Sequence, residues 1–242
     1  MTRPFRSLFS GIARRALPLV GACLLTTAAQ ANDNPHDPYE GFNQAMFTVH
    51  EGLDKVIVKP VAQVYDAAVP LPAKAGVGNF FDNILDVRNA LNSLLQGKPG
   101  DAASDVGRLL VNSTIGIFGL FDVASELGLE RHEEDFGQTM AVWGYRDSAY
   151  LFWPLIGPRT VRDTGGWLVD INTDPTWGTT RKSVAVRNSL LAVRLVDVRA
   201  SLLPADKVVE EAALDKYAYV RDAYLQRRRN QIYDGRPPRL DD

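Results

Sequence analysis

The side chains most able to do chemistry are few in this 242-residue sequence, and their spacing argues against an enzyme. The histidines His36, His50 and His132 lie far apart, so no two stand at metal-ligand spacing. His132-Glu133 is followed by Phe136 where a zinc-protease helix would carry its second histidine. There is no Gly-x-Ser-x-Gly elbow, no phosphate loop and no cysteine nucleophile in the body of the chain. Asp163 and Asp170, seven apart, could share a helix face and do acid–base work. Gly165-Gly166 between them predicts a broken helix, which makes the pair a cap and a surface charge. Arg227-Arg228-Arg229 suits a membrane surface, where each cation is worth about 1 kcal/mol toward anionic lipid. The same triplet equally suits the negative end of a helix dipole. No metal, cofactor or catalytic residue is therefore expected.

What stands out is apolar. Residues 109–121, LLVNSTIGIFGLF, carry no charge but are punctuated by Asn112, Ser113, Gly116 and Gly119. A membrane-crossing helix needs about 20 apolar residues, so this run is too short and too broken to be one. A second stretch, residues 150–157 (YLFWPLIG), is aromatic at one end and stopped by Pro154 and Pro158. Both predict greasy loops that line a passage for lipid or dip into a membrane surface. Glycines would supply hinge freedom, and Asn112, Ser113 and Thr114 would supply polar contacts for a headgroup. Trp143, Trp153, Trp167 and Trp177, most of them beside Gly or Pro, fit anchors at headgroup level.

Helices must frame these loops. Tyr39, Phe42, Met46, Val49 and Leu53 follow Asp37-Pro38 at spacings of three and four, predicting a capped amphipathic helix with one face in the core. Lys59-Pro60 restarts a short helix that ends at Pro70 and Pro72. Val77, Phe80, Phe81, Ile84, Leu91, Leu94 and Leu95 keep helical register to Gly97, and Asp101 caps the next helix. Residues 123–128 read as a short helix, and Pro158-Arg159 as the start of another through Val161. Leu191, Leu195, Val198 and Leu202 form one helical face up to Pro204, and Ala213, Tyr217, Val220 and Tyr224 form another. Period-two alternation is almost absent, so the expected fold class is all-α.

Residues 1–31 read as a targeting segment, with Arg3, Arg6, Arg14 and Arg15 ahead of an apolar run and Ala29-Gln30-Ala31 as a cleavage site. Val20-Gly21-Ala22-Cys23 also fits a loose lipobox, in which residues 1–22 are removed and Cys23 becomes a lipid anchor. Both alternatives leave a body of residues 32–242. Its formal net charge of −2 over the whole chain gives no pull toward nucleic acid.

Longer motifs then run in order along the chain: residues 37–43 (DPYEGFN), 90–97 (ALNSLLQG), 107–125, 135–139 (DFGQT), 155–158 with Arg162-Asp163, and 219–229 (YVRDAYLQRRR). Together they closely resemble the MlaA (VacJ) family. The resemblance implies an outer-membrane lipoprotein that removes mislocalised phospholipid from the outer leaflet and hands it to a soluble periplasmic carrier. It implies a ring-like, all-helical single domain with a central amphipathic channel, lying in the inner leaflet on the periplasmic side and associated with a trimeric porin. Carried over by residue, the family's flexible hairpin beside the channel falls on Ile115, Gly116, Ile117, Phe118, Gly119, Leu120 and Phe121, and its gating motif on Gly41, Phe42 and Asn43. Position 44 is Gln where the family usually has a basic residue, and the lipobox is poor. Two readings from other classes stand beside it: a lipid-modifying hydrolase using Asp163, Asp170 or His132, and a scaffold on porins.

Overall fold

Helix α1 (Glu40–Leu53) opens with the Asn43 N–H donating to the Tyr39 carbonyl at 2.9 Å. Asp37 is therefore not its cap; it is wholly buried and accepts from Asn43 Nδ2 at 2.8 Å and from the Tyr217 hydroxyl. The computed structural model describes residues 34–174 and 183–239, so the leader, Cys23 and Trp177 lie outside the described residues. No break separates α1 from α2 (Lys59–Ala68), because a π-turn (Asp54–Val58) carries the helix through Pro60. The wide turn makes the ladder irregular where proline withholds its N–H. After Pro70 come α3 (Leu71–Leu95) and α4 (Pro99–Thr114), which pack on each other as a helical hairpin. Proline in the first turn suits both, since those N–H groups have no intrahelical acceptor.

Side-chain caps set the later starts. Asp122 accepts from Ser125 N–H to begin α5 (Val123–Glu126), and Asp135 accepts from Gln138 N–H at 2.9 Å to begin α6 (Phe136–Val142). Strands β1 (Tyr150–Trp153) and β2 (Gly157–Thr160) then pair antiparallel, with Tyr150 opposite Thr160 and Trp153 opposite Gly157. The fold is thus mostly helical with one small hairpin, and Pro158-Arg159 lie in a strand rather than a helix. Helix α7 (Val161–Thr173) starts only at Val161, on a Thr160 cap. It runs unbroken through Gly165-Gly166, against the expectation of a break. A Cβ at Gly166 would overlap the backbone of Gly137, so glycine there serves the close approach of α6 and α7. Helix α8 (Val184–Ala212) likewise continues past Pro204. Arg199 and Asp206, joined at 2.8 Å, clasp the two sides of that proline. Helix α9 (Lys216–Ile232) closes the described fold.

The apolar stripes do not all face inward. Among the described residues no Leu, Ile, Val or Met is fully buried, whereas nineteen polar or charged side chains are, against ten apolar ones of which six are alanine. On α3 the buried face is Asn83, Asp86, Asn89, Ala90 and Ser93, while Leu91, Leu94 and Leu95 are exposed. A stripe at spacings of three and four identifies a helix but not which side of it is inside. Compact apolar packing is confined to Tyr150, Phe152 and Tyr217 with Met46, Phe47, Val220, Tyr224 and Leu225 around them. Phe47 meets Phe152 edge-on at 5.3 Å and Tyr217 at 5.7 Å. No helix among the described residues is long and apolar enough to cross a membrane.

Candidate functional site

Asn43 organises, from a distance, a wide opening in the fold. Wholly buried on α1, it donates to the Tyr150 carbonyl at 3.1 Å and accepts the Phe152 N–H at 2.9 Å, which ties β1 to α1. Next to it Phe42 meets Trp153 edge-on at 6.2 Å, and two turns on His50 Nδ1 accepts the Leu155 N–H at 3.2 Å. Burial holds the His50 imidazole below its ordinary pKa, which keeps that nitrogen an acceptor. Leu155 takes a left-handed φ of 65° in the tip of the hairpin, and this tip borders a cavity of about 1040 Å³. Of the expected gating residues, Asn43 and Phe42 thus grip the hairpin, while Gly41 is exposed.

Its lining mixes hydrocarbon, from Leu155 and Ile156 of the hairpin, Leu195, Val198, Leu202 and Val209 of α8 and Val220 of α9, with charged side chains of α1, the π-turn, α2 and α8. Asp54 accepts two bonds from Arg199, at 2.7 and 2.9 Å, and Asp206 takes Lys59 at 2.8 Å. Burial pushes the Asp206 carboxyl up, but Arg199 and Lys59 outweigh it and leave its pKa below the usual value. The result is an amphipathic chamber in which hydrocarbon and tethered ions share the lining.

Residues 112–121 do not border this cavity. They form a knob at the end of α4, with Ile115, Ile117, Phe118, Leu120 and Phe121 exposed and Phe118 the most so at 77%. Ile117 and Phe118 hold positive φ of 52° and 56°, a conformation costing about 1–3 kcal/mol for such residues. Bonds from Phe118 N–H to the Ser113 carbonyl and from Gly119 N–H to the Asn112 carbonyl, at 3.1 and 2.8 Å, lock it. A Cβ on Gly116 or Gly119 would overlap the Phe121 carbonyl or the Asn83 side chain, so these glycines are tight packing points. The polar residues beneath are already engaged. Asn112 joins Asp122 and Ala124, Ser113 accepts from Asn83, and Thr114 donates to the Leu110 carbonyl. What the knob offers outward is hydrocarbon.

The acid–base candidates are structural. Asp163 is buried and accepts from Arg162 at 2.8 Å, Arg228 at 2.9 Å and the Tyr224 hydroxyl at 2.7 Å. Asp170, also buried, accepts the Phe136 N–H at 3.1 Å. Neither is the cap and surface charge the glycine pair suggested. His132 Nδ1 lies 3.1 Å from Asp105. No group of His, Cys, Asp and Glu that could hold a metal occurs among the described residues. The arginine triplet splits three ways: Arg227 pairs with Glu133 on the surface, Arg229 donates to the Pro238 carbonyl, and Arg228 is buried between Asp135 and Asp163. Burial raises the Asp135 carboxyl, yet Arg228 more than offsets it and holds the pKa at about 2. Of the tryptophans, Trp143 is exposed with its indole N–H on the Leu95 carbonyl, whereas Trp153 and Trp167 are partly buried.

A model of the MlaA lipoprotein family matches residues 35–231. The chain belongs to the MlaA lipoprotein family. Among its relatives, the intermembrane phospholipid transport system lipoprotein MlaA of Escherichia coli K12 is 33% identical over 219 residues, 88% of this chain and 85% of that one. An uncharacterised protein of Rickettsia bellii is 34% identical over 198 residues, covering 81% of this chain and 77% of its own. A solved structure from work on the structural basis for maintenance of bacterial outer membrane lipid asymmetry has a TM-score of 0.71 and 31% identity. It covers 83% of this chain and 99% of its own. The MlaA match runs from α1 almost to the end of α9, so both the buried polar network and the chamber lie within it.

The chamber was not legible from the sequence. Leu195, Val198 and Leu202 read as one helical face, and the available signal was Arg199 and Asp206, which are interleaved with them on that same face and are out of place against an ordinary core.

Proposed function

We propose that this protein is the outer-membrane channel component of a phospholipid transport system. It takes mislocalised phospholipid from the outer leaflet and releases it toward a soluble periplasmic carrier, and so maintains lipid asymmetry. The single observation that carries this reading is the chamber of about 1040 Å³ lined by both hydrocarbon and ions, in a fold that exposes its leucines and buries its asparagines. A phospholipid needs both kinds of lining at once. The exposed leucines of α3 and the knob at 115–121 suit immersion in a single leaflet without a crossing helix. In this reading the helices form a ring around the channel, seated on the periplasmic side of the outer membrane beside a trimeric porin. The knob is the membrane-seeking hairpin next to the entrance, and Gly41-Phe42-Asn43 tunes the opening through β1.

The protein works without catalysis. The carboxylates and the histidine that a hydrolase would use are bonded elsewhere, Asp163 to arginines, Asp170 to a backbone amide and His132 to Asp105. Val198→Trp with Leu202→Trp plugs the chamber from α8. Cells relying on this variant are expected to lose their barrier to detergent plus chelator, with protein levels unchanged and no free fatty acid released from phospholipid by the purified wild type. An intact barrier in those cells overturns the channel, and released fatty acid favours the hydrolase. Phe118→Asp with Leu120→Asp is expected to fold normally and float poorly with vesicles; undiminished flotation removes the knob from the membrane.

A further inference from the structure

The residues bordering the chamber include four lysines or arginines and four carboxylates, and pairing them off leaves one of each spare. Lys216 takes Glu51 at 2.6 Å, and Arg199 takes Asp54 at 2.7 Å and Asp206 at 2.8 Å. Lys59 also bonds Asp206, at 2.8 Å, and reaches Glu210 only at 3.7 Å, too far for a hydrogen bond. Glu210 is thus the loose end of an ionic ladder, with more than half of its side chain exposed. Lys55 stands outside the ladder: among the described residues no carboxylate lies within ion-pair reach of it. Three carboxylates against two cations leave the Glu210 end negative by one charge, Lys55 supplies one positive charge, and the lining as a whole is neutral.

The two spare charges belong to one neighbourhood. Lys55 lies in the π-turn, about one turn before Lys59, and Lys59 is the residue that Glu210 approaches. Both border the chamber, as does Gly52, three residues before Lys55 on α1. Glycine inside a helix costs about 1 kcal/mol against alanine. No atom of the fold comes within 4 Å of a Cβ built on Gly52, so packing within the protein gives no reason for it. A bare stretch of helix beside a free ammonium lets the polar end of a ligand approach the backbone closely. A ligand of one charge sign would satisfy one spare group and be repelled by the other, whereas a zwitterion satisfies both. We propose that Lys55 and Glu210 select a zwitterionic aminophospholipid of the phosphatidylethanolamine class, its phosphate on Lys55, its ammonium on Glu210 and its acyl chains among the leucines and valines of α8. This rests on the transport reading above. Phosphatidylglycerol meets Lys55 alone, and diacylglycerol meets neither charge.

The test uses the full chain in nonionic detergent with fluorescent phosphatidylethanolamine, phosphatidylglycerol and diacylglycerol of the same acyl chains, and with phosphoethanolamine as a competitor. Wild type is expected to bind phosphatidylethanolamine about fivefold more tightly than phosphatidylglycerol, and that lipid about fivefold more tightly than diacylglycerol, the scale of half-exposed charge contacts. K55Q should lose about fivefold on both phospholipids, and E210Q about fivefold on phosphatidylethanolamine alone, each with diacylglycerol binding and melting temperature unchanged. K55E with E210K, which exchanges the two charges, should regain phosphatidylethanolamine binding that K55E loses. Equal affinity of wild type for the two phospholipids overturns the selection, as does a loss in E210Q that falls on both alike or a loss on diacylglycerol in either glutamine variant. Phosphoethanolamine that competes as strongly as whole lipid overturns it in favour of a soluble ligand. The two readings fail separately. Phosphatidylethanolamine selectivity alongside an intact barrier in the Val198→Trp, Leu202→Trp cells sinks transport alone, and indifferent binding alongside a failing barrier sinks the selection alone.

Discussion

Arg228→Met tests whether the fold is held from within by ions. Arg228 reaches Asp163 at 2.9 Å and chelates Asp135, and all its guanidinium is shielded from water. The Asp135 carboxyl sits at about 2 against an ordinary 3.8. At about 1.4 kcal/mol per unit, this is roughly 2 kcal/mol of folding stability, a figure that covers Asp135 alone. Removing the cation also leaves Asp163 with Arg162 as its remaining charged partner, and undercompensated buried carboxylates cost about 3–5 kcal/mol. For a chain of this length that is a melting temperature lower by roughly 6–20 °C. A folded pKa below the unfolded one gives stability present above about pH 4 and lost as pH falls toward about 2. The wild type should therefore weaken across that window and the variant should not, so the gap between them closes in acid. Melting curves followed by circular dichroism at about pH 7 and about pH 3 read this directly. A deficit under about 1 kcal/mol, or one equally large in acid, would refute the reasoning. Normal melting with weakened vesicle binding would restore the surface role that the Arg227–Arg229 triplet suggests.

Asp86 runs the other way: burial pushes its carboxyl up to about 6 despite Arg131 and Arg108 nearby, and its Oδ2 has no hydrogen bond. Its penalty is full above about pH 6 and gone below about pH 4, so Asp86→Asn should stabilise the protein by about 1–3 kcal/mol at neutral pH and by little in acid, as urea titrations at both will report. Gly166→Ala drives a methyl into the Gly137 backbone and should destabilise by about 1–3 kcal/mol or more, read as a lower urea midpoint with an unchanged slope. Asn43→Ala strands the Phe152 N–H and the Tyr150 carbonyl at about 1–3 kcal/mol each, and limited proteolysis should then cut faster near Leu155 than anywhere in α3.

Helices were legible because periodicity is a local property, and the long runs of α3, α8 and α9 stand close to where spacing puts them. Their orientation was not. The same wheel places Asp86 and Asn89 opposite Leu91 and Leu95, and which arc faces inward depends on what surrounds the molecule. Sequence distance hid the rest. The partners that decide Arg228 lie 93 and 65 residues away, and the residue that docks β1 lies 107 before it. Gly165-Gly166 and Pro204 read as breaks because their local cost is visible in sequence, whereas the tight α6–α7 contact and the Arg199–Asp206 clasp that offset it are not. For the candidate site, the knob at 115–121 was visible as an uncharged, glycine-broken run, and the chamber was not, since its walls come from four separate segments.

An interior furnished with asparagine and aspartate in place of leucine also shapes how the protein meets heat and cold. Hydration of newly uncovered hydrocarbon raises the heat capacity on unfolding, and hydration of polar groups lowers it. Here little sheltered hydrocarbon is left to wet, so the increment should fall below the common ~12–15 cal/mol/K per residue. Stability then traces a broad, shallow dome against temperature.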